Sequence, residues 1–317
     1  DPDHSPEPTH AYADSETVVP AEIAAFVRAK LGAGAAKGSG YNSWTFVGES
    51  RALKIHPAQG RTGIFTLDQD LSGIALGSAT TPEVAESGTI AGHEYVETAR
   101  IPGTPGHLAW MTFDATAQET FCRQMRNVLA YWHQIPAPST VNDATQHLAT
   151  PEAMQITLAE ATPFLPPHYV EPITLLIAQI QNVAVRQARA LVHRDFWPGN
   201  LLVDATGAIT CLLDFGHTVA AESISELDTP LRYWRHPWLF VEEEHEDFYE
   251  SQLERSLIFG LVEDATIGYD DHEAALKVAG LDLSYRLRKI AQYGWNEDQE
   301  MFLKSILNGG LLEWLNS

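Results

Sequence analysis

His193-Arg194-Asp195-Phe196-Trp197-Pro198-Gly199-Asn200, followed by Asp214-Phe215-Gly216, decides how this chain folds. The two runs hold a complete set of side chains for moving a phosphoryl group from a nucleotide to a hydroxyl. That transfer needs a carboxylate for the hydroxyl proton and oxygen ligands for magnesium on the nucleotide phosphates. Asp195 fits the first role. Asn200 and Asp214 fit the second, because Mg²⁺ is a hard ion that prefers oxygen donors and takes few from protein. The step from Asp195 to Asn200 follows the pattern H-R-D-x-x-x-x-N, and D-F-G is the matching metal motif.

The spacing between the runs has a structural meaning. Leu201–Val203 and Ile209–Leu213 read as short strands joined by a turn at Asp204-Ala205-Thr206-Gly207. Such a hairpin folds Asp214 back beside Asn200, so that both reach one metal ion.

Composition sets the outer bounds. A chain of 317 residues with 44% apolar content suits one large domain or two lobes. No apolar run is long enough for a membrane span. Residues 1–17 read as a flexible lead without the basic start and apolar stretch of a secretion signal. With two cysteines, Cys122 and Cys211, both in core-like patterns, and scattered histidines, neither a disulfide framework nor a zinc site is indicated. The expected compartment is the cytoplasm. The net charge of −22 argues against nucleic acid or an anionic membrane as partner. It falls as −6 over residues 1–100, −4 over 101–220 and −12 over 221–317. Oligomeric state is left open.

Working outward from the motif, helical periodicity is expected at 20–31, and strands at 41–47, 51–55 and 92–101. A short helix is expected at 68–76. Longer helices are expected at 115–134 and 171–190, around an irregular proline-rich stretch at 136–170. The C-terminal part reads as helices near 226–236, 243–265, 270–278, 283–294 and 299–315.

Lys54, the one lysine of Arg51-Ala52-Leu53-Lys54-Ile55, echoes the strand lysine that meets nucleotide phosphates. Leu53 and Ile55 would face the other side of that strand. An acid on the following helix should orient the lysine; Asp70 is the expected partner and Asp68 its rival. Ser39, in Gly38-Ser39-Gly40, is expected to offer its backbone N–H to phosphate.

With these residues in place, the chain resembles the aminoglycoside phosphotransferase and choline-kinase-like family of the protein-kinase-like fold. Gly40-Tyr41-Asn42-Ser43, Ala52-Leu53-Lys54-Ile55, Glu94-Tyr95-Val96, Arg100-Ile101-Pro102-Gly103-Thr104-Pro105 and Trp132-His133 carry the resemblance with the two central runs. It extends from about residue 20 to 235. It implies an α+β, bilobal protein-kinase-like fold with a small antiparallel-sheet N-lobe and a large, mainly helical C-lobe. The expected division is a lead at 1–17, a nucleotide-binding N-lobe at 18–102 and a C-lobe for catalysis and acceptor binding at 103–317.

The resemblance implies that Asp195 is the catalytic base, that Asn200 and Asp214 bind Mg²⁺, and that Lys54 contacts the phosphates of ATP or GTP. His193 would brace the catalytic loop and Asp228 would buttress it. Adenine would lie against the backbone of Thr98, Ala99, Arg100 and Ile101. The chain departs from the family pattern in three places: Asp70 for the usual Glu, a poorly marked phosphate loop, and Arg194 where Gly is common.

A protein kinase is a weaker reading, because no A-P-E segment follows Asp214-Phe215-Gly216 and little room remains for a peptide platform. A small hydroxylated acceptor is expected: a sugar, an amino sugar or aminoglycoside, or an amino alcohol. Trp197, Trp234, Trp238 and Glu242 are candidates to line its site, since aromatic faces suit sugars and cations and carboxylates suit amines. Tryptophans at this spacing read equally as core, and the acidic run 242–247 as a solvated face. A reading from another class is an inactive kinase-like nucleotide-binding or scaffold protein.

Overall fold

The computed structural model describes residues 19–38, 43–141 and 150–311. The expected lead at 1–17 and Ser39 lie outside the described residues. The chain opens with α1 (Ala21–Leu31), β1 (Ala36–Lys37), β2 (Trp44–Val47), β3 (Arg51–Ile55), α2 (Thr66–Asp70), β4 (Ala75–Leu76) and β5 (Ala79–Thr80). Then come β6 (Val84–Ile90), β7 (His93–Ala99), β8 (Thr104–Pro105), α3 (Gly106–Trp110), α4 (Ala115–Trp132), α5 (Pro151–Ala161), α6 (Pro167–Gln181) and β9 (Arg189–Val192). The hairpin β10 (Leu201–Val203) and β11 (Ile209–Leu212) precedes β12 (Val219–Glu222), α7 (Asp228–Arg235), α8 (Glu246–Gln252), α9 (Phe259–Ala265), α10 (Asp271–Tyr293) and α11 (Glu297–Leu307). The fold is mixed α+β, with antiparallel sheet towards the N-terminus and helices towards the C-terminus. Among the described residues no helix is long and apolar enough to cross a membrane.

Two compact units divide the chain: Asp1–Ala117 with Pro198–Gly216, and Gln118–Trp197 with His217–Ser317. The first unit holds an antiparallel sheet ordered β1-β2-β3-β7-β6. Alternation along β3 buries Leu53 and Ile55 with Trp44, Phe46 and Tyr95 against Ile23 and Val27 of α1. A second sheet, β4-β5-β11-β10-β8, belongs to the same unit. Its pairings of β11 with β5 and of β10 with β8 explain why Pro198–Gly216 joins this unit, and why the contact boundary differs from the expected one at residue 102.

In the second unit, α5, α6, α10 and α11 gather Met154, Leu158, Ile173, Ile177, Leu283, Leu287 and Leu303 into one core. Prolines hid part of this from the sequence. Pro151 and Pro167 begin α5 and α6 rather than interrupting them, and Thr150 caps α5 by accepting the Ala153 N–H at 3.1 Å. The expected break near residue 280 is absent, since α10 runs unbroken through Gly280. A Cβ there would meet Ile180 at 3.2 Å, so this glycine serves close helix packing. Conversely, the expected helix at 243–265 is divided into α8 and α9. Strand β9 replaces the end of the helix expected at 171–190, because α6 stops at Gln181.

Candidate active site

Three ionisable groups meet in the first unit. Lys54 Nζ lies 3.7 Å from Asp68 Oδ1 and 3.8 Å from Asp214 Oδ1. Lys54 stands on the face of β3 opposite Leu53 and Ile55, paired across the sheet with Thr45 and Val96. Burial pushes its ammonium pKa down, but Asp214 and Asp68 outweigh this, and the net shift is upward. Burial raises the Asp68 carboxyl against the opposing charge of Lys54.

The expected partner Asp70 is corrected to Asp68. Two residues along a helix are turned by about 200°, so only one of the pair faces the lysine. Asp70 is exposed and Asp68 is buried. Glu94 sets that phase: its carboxylate accepts the N–H groups of Ile64 and Phe65 at 3.1 and 3.3 Å, just ahead of α2.

The expected 200–214 hairpin forms, with a register shift between Leu202 and Val203. Leu201 pairs with Leu212, and the Leu213 N–H donates to the Asn200 carbonyl at 2.8 Å. Asp204 closes the turn by accepting the N–H groups of Thr206 and Ala208 at 2.8 and 3.0 Å. The hairpin therefore brings Asn200 and Asp214 to the same end. Asp214 has φ +64°, an unusual conformation for a non-glycine residue, and its side chain is 52% exposed. An amide and an exposed carboxylate are hard oxygen donors, which fits magnesium.

At the other end of the first unit's sheet, the N–H groups of Ala99 and Arg100 donate to the carbonyls of Glu83 and Ser50 at 2.8 and 3.0 Å. These two residues belong to the segment expected to meet adenine. Thr98 pairs with Ala52 and Val84, and Ile101 lies just beyond β7. Cys211 is a free, buried thiol in β11, and Cys122 is likewise free and buried in the second unit. Burial pushes both thiols up to about 12, so neither is a nucleophile at neutral pH.

In the second unit the loop that carries His193, Arg194 and Asp195 is tied down by one carboxylate. Glu226 accepts the His193 N–H at 2.8 Å and the Arg194 N–H at 2.9 Å, and lies 3.4 Å from His133 Nε2. Burial alone would raise its carboxyl. The His133 hydrogen bond and charge, the nearby His193 ring and the His193 N–H hold it below the usual range. The expected buttress, Asp228, is corrected to Glu226. Asp228 instead pairs with Arg232 at 2.7 Å, one turn along α7. His193 is buried against Trp132, at 5.6 Å between ring centres, and its Nδ1 accepts the Asp195 N–H at 3.3 Å. Arg194 has φ +63° where the family pattern commonly has glycine. The Glu226 contact and a 2.7 Å hydrogen bond from Thr229 Oγ1 to the Arg194 carbonyl fix this strained backbone.

Glu226→Ala removes the acceptor of two N–H groups at the loop. It is expected to cost at least about 2 kcal/mol of stability and to lower turnover, with Glu226→Gln retaining part of both. Urea denaturation and steady-state kinetics on the two variants check this.

The aromatic candidates separate. Trp234 is 3% exposed and donates Nε1–H to the Glu254 carbonyl at 3.1 Å. It is a core residue, and its expected place in the acceptor site is withdrawn. Trp197 is half-buried, with Tyr233 and Phe240 at 5.6 and 5.3 Å. Trp238 stacks on Phe302 at 5.9 Å. Glu242 is exposed and leads the turn Glu243–His245.

His236 lies 4.9 Å from the Phe302 ring. Burial, then the charges of Arg235, Arg286 and Arg232, push its pKa down to about 3. The unfolded chain takes up that proton near pH 6.5. Stability at this site is therefore complete above about pH 6.5 and falls as pH drops towards 3, by up to about 1.4 kcal/mol per unit. His236→Gln is expected to flatten that loss, as read from denaturant midpoints at pH 7.5 and pH 5.

The APH family model, described as a phosphotransferase enzyme family, matches residues 67–265. The chain belongs to this phosphotransferase family. Comparison with curated proteins finds no match. Among solved structures, the GDP complex of aminoglycoside 2'-phosphotransferase-IIIa is similar, with a TM-score of 0.62 at 14% identity over 91% of this chain and 98% of that one. The gentamicin complex of APH(2")-IIa gives a TM-score of 0.60 at 14% identity, covering 94% and 98%. A thermostable mutant of aminoglycoside phosphotransferase APH(4)-Ia, in ternary complex with ADP and hygromycin B, gives 0.61 at 16% identity, covering 91% and 99%. At these identities the likeness is one of fold, and it places this phosphotransferase family member in the kinase-like architecture.

Proposed function

We propose that this family member is a magnesium-dependent small-molecule kinase, transferring the γ-phosphoryl group of ATP or GTP to a hydroxyl. The expected acceptor classes are sugars, amino sugars or aminoglycosides, and amino alcohols. The observation that carries this reading is the meeting of Lys54, Asp68 and Asp214 at the end of the hairpin that also presents Asn200. Ligands named for the structural neighbours, GDP and ADP on one side and gentamicin and hygromycin B on the other, support it.

In this reading Lys54 holds the nucleotide phosphates and Asp68 orients Lys54. Thr98, Ala99, Arg100 and Ile101 line the adenine through their backbone, and Ser39 offers an N–H to phosphate. Asn200 and Asp214 hold magnesium, which when bound neutralises charge on the phosphates. Asp195 orients the acceptor hydroxyl and takes its proton as the new O–P bond forms and the β–γ bridge breaks. Catalysis then rests on positioning and charge stabilisation. Trp197 and Trp238 are the remaining aromatic candidates for acceptor contact, with Glu242 further out. The cytoplasm is the proposed compartment.

Consumption of ATP and of GTP against aminoglycosides, amino sugars, neutral sugars, amino alcohols and macrolides tests the reading. Acceptor-dependent, magnesium-dependent turnover is expected. Nucleotide binding without turnover on any acceptor would favour an inactive binding module instead.

A further inference from the structure

Strand β9 leads directly into His193-Arg194-Asp195, and a carboxylate grips each of its ends. At the exit, Glu226 accepts the N–H groups of His193 and Arg194. At the entry, Glu222 accepts the N–H groups of Arg186 and Gln187 at 3.0 and 3.1 Å. The two acids stand four residues apart on one segment, the end of β12 and the helical turn Ser223–Glu226 that follows it. Between these clamps β9 and β12 pair residue by residue, from Val192 with Val219 to Arg189 with Glu222.

Gln187 ties the same two segments in the opposite direction. Its side-chain oxygen accepts the Ser223 hydroxyl at 2.9 Å and the Ile224 N–H at 3.1 Å. Its side-chain nitrogen donates to the carbonyls of Ala265 and Ile267, both at 2.8 Å. Glu222 also accepts the Tyr269 hydroxyl, and Lys277 Nζ at 3.1 Å, with its side chain 12% exposed. Burial would raise its carboxyl, but the Tyr269 hydroxyl, the Gln187 N–H and Lys277 hold it below the usual range. Glu222 is therefore an anion at neutral pH, and hydrogen bonds to an ionised acceptor are the stronger kind.

A paired strand cannot slide without breaking its ladder, so a shift at residues 186 and 187 passes along β9 to His193. Ser223 and Ile224, held by Gln187, lie just ahead of Glu226, so the same amide fixes where Glu226 meets the loop. Resting on the kinase reading above, we propose that Glu222 and Gln187 are positioning residues for phosphoryl transfer. Through β9 and Glu226 they set the place of the Asp195 carboxylate against the acceptor hydroxyl. A base must stand within hydrogen-bond reach of the proton it takes, and a displacement of about 1 Å costs up to about 10²-fold in rate. These bonds involve none of Lys54, Asp68, Asn200 and Asp214, which belong to the other unit, so Mg-nucleotide affinity should not follow them.

Glu222→Ala and Gln187→Ala are compared with Glu222→Gln on the full chain. Thr150→Ala, which removes the cap of α5, is the stability control. Kinetics use the acceptor of the panel above that wild type phosphorylates fastest. Calorimetry reads Mg-nucleotide affinity, and hydrogen exchange reads the amides of residues 193–195. Both alanine variants should lower kcat by about tenfold or more, with acceptor KM and nucleotide affinity within about twofold of wild type. Their amides at 193–195 should exchange at least about tenfold faster, an acceleration not shared by α6. Glu222→Gln keeps an oxygen for the Arg186 and Gln187 N–H groups and should recover most of kcat. Thr150→Ala should be less stable to urea with kcat unchanged. Gln187 is half-buried, so Gln187→Ala keeps the test open if Glu222→Ala does not fold.

Wild-type kcat in a folded alanine variant would overturn the proposal, as would unchanged exchange at 193–195 in both. A fall in kcat that Thr150→Ala reproduces at equal loss of stability would overturn it too. A wild type that binds Mg-nucleotide yet transfers nothing counts against the kinase reading instead. Exchange then decides alone whether Glu222 and Gln187 hold the loop.

Discussion

Asp195→Asn is expected to lower kcat by at least about 10²-fold while Mg-nucleotide affinity stays within about twofold. The substitution keeps size and shape but removes the only proton acceptor that the account assigns to the hydroxyl. The backbone of the loop should keep its form, because it is held through other groups. Glu226 holds the His193 and Arg194 N–H groups, Thr229 holds the Arg194 carbonyl, and the His193 ring accepts the Asp195 N–H. Steady-state kinetics beside a nucleotide titration separates the two effects. Turnover unchanged from wild type would remove Asp195 from the base role.

Asp214→Asn should act on the other substrate. It is expected to weaken Mg-nucleotide binding by at least about tenfold, because a charged ligand of a hard cation becomes a neutral one. Asparagine is the informative choice, since it tolerates the φ of +64° that alanine would not. Lys54 also loses one of its two carboxylate neighbours, at 3.8 Å, so its pairing with Asp68 at 3.7 Å is left as the organising contact. Calorimetry with and without magnesium checks this. Equal affinity in variant and wild type, with the same magnesium dependence, would place the metal elsewhere. Together the two variants should show opposite patterns, one defective in turnover and the other in binding.

The sequence was most legible where local pattern and chemistry coincide. The hairpin at 200–214 is written as two apolar runs around an Asp-Ala-Thr-Gly turn, whereas its register shift between Leu202 and Val203 is not. The burial alternation of β3 made the face of Lys54 readable in the same way. Helical phase was not legible. Asp68 and Asp70 are both acids near the start of a short helix, and Glu94, on a strand 24 residues after Asp70, determines which one faces the lysine. Glu226 and Asp228 present the same ambiguity: both are buried, and only the tertiary path shows which one reaches the loop. Strand β6 was missed because Val84–Ile90 is a mostly exposed edge strand with little apolar alternation.

Transfer of a labelled γ-phosphoryl group tests the central claim most directly. The full chain, magnesium and γ-labelled ATP or GTP are incubated with the acceptor panel, and the products are separated by charge and mass. Label is expected on a hydroxyl of one acceptor class, dependent on magnesium and absent with Asp195→Asn. Nucleotide bound tightly by the wild-type chain, with no label on any acceptor and none released, would contradict it and make the protein a nucleotide-binding module.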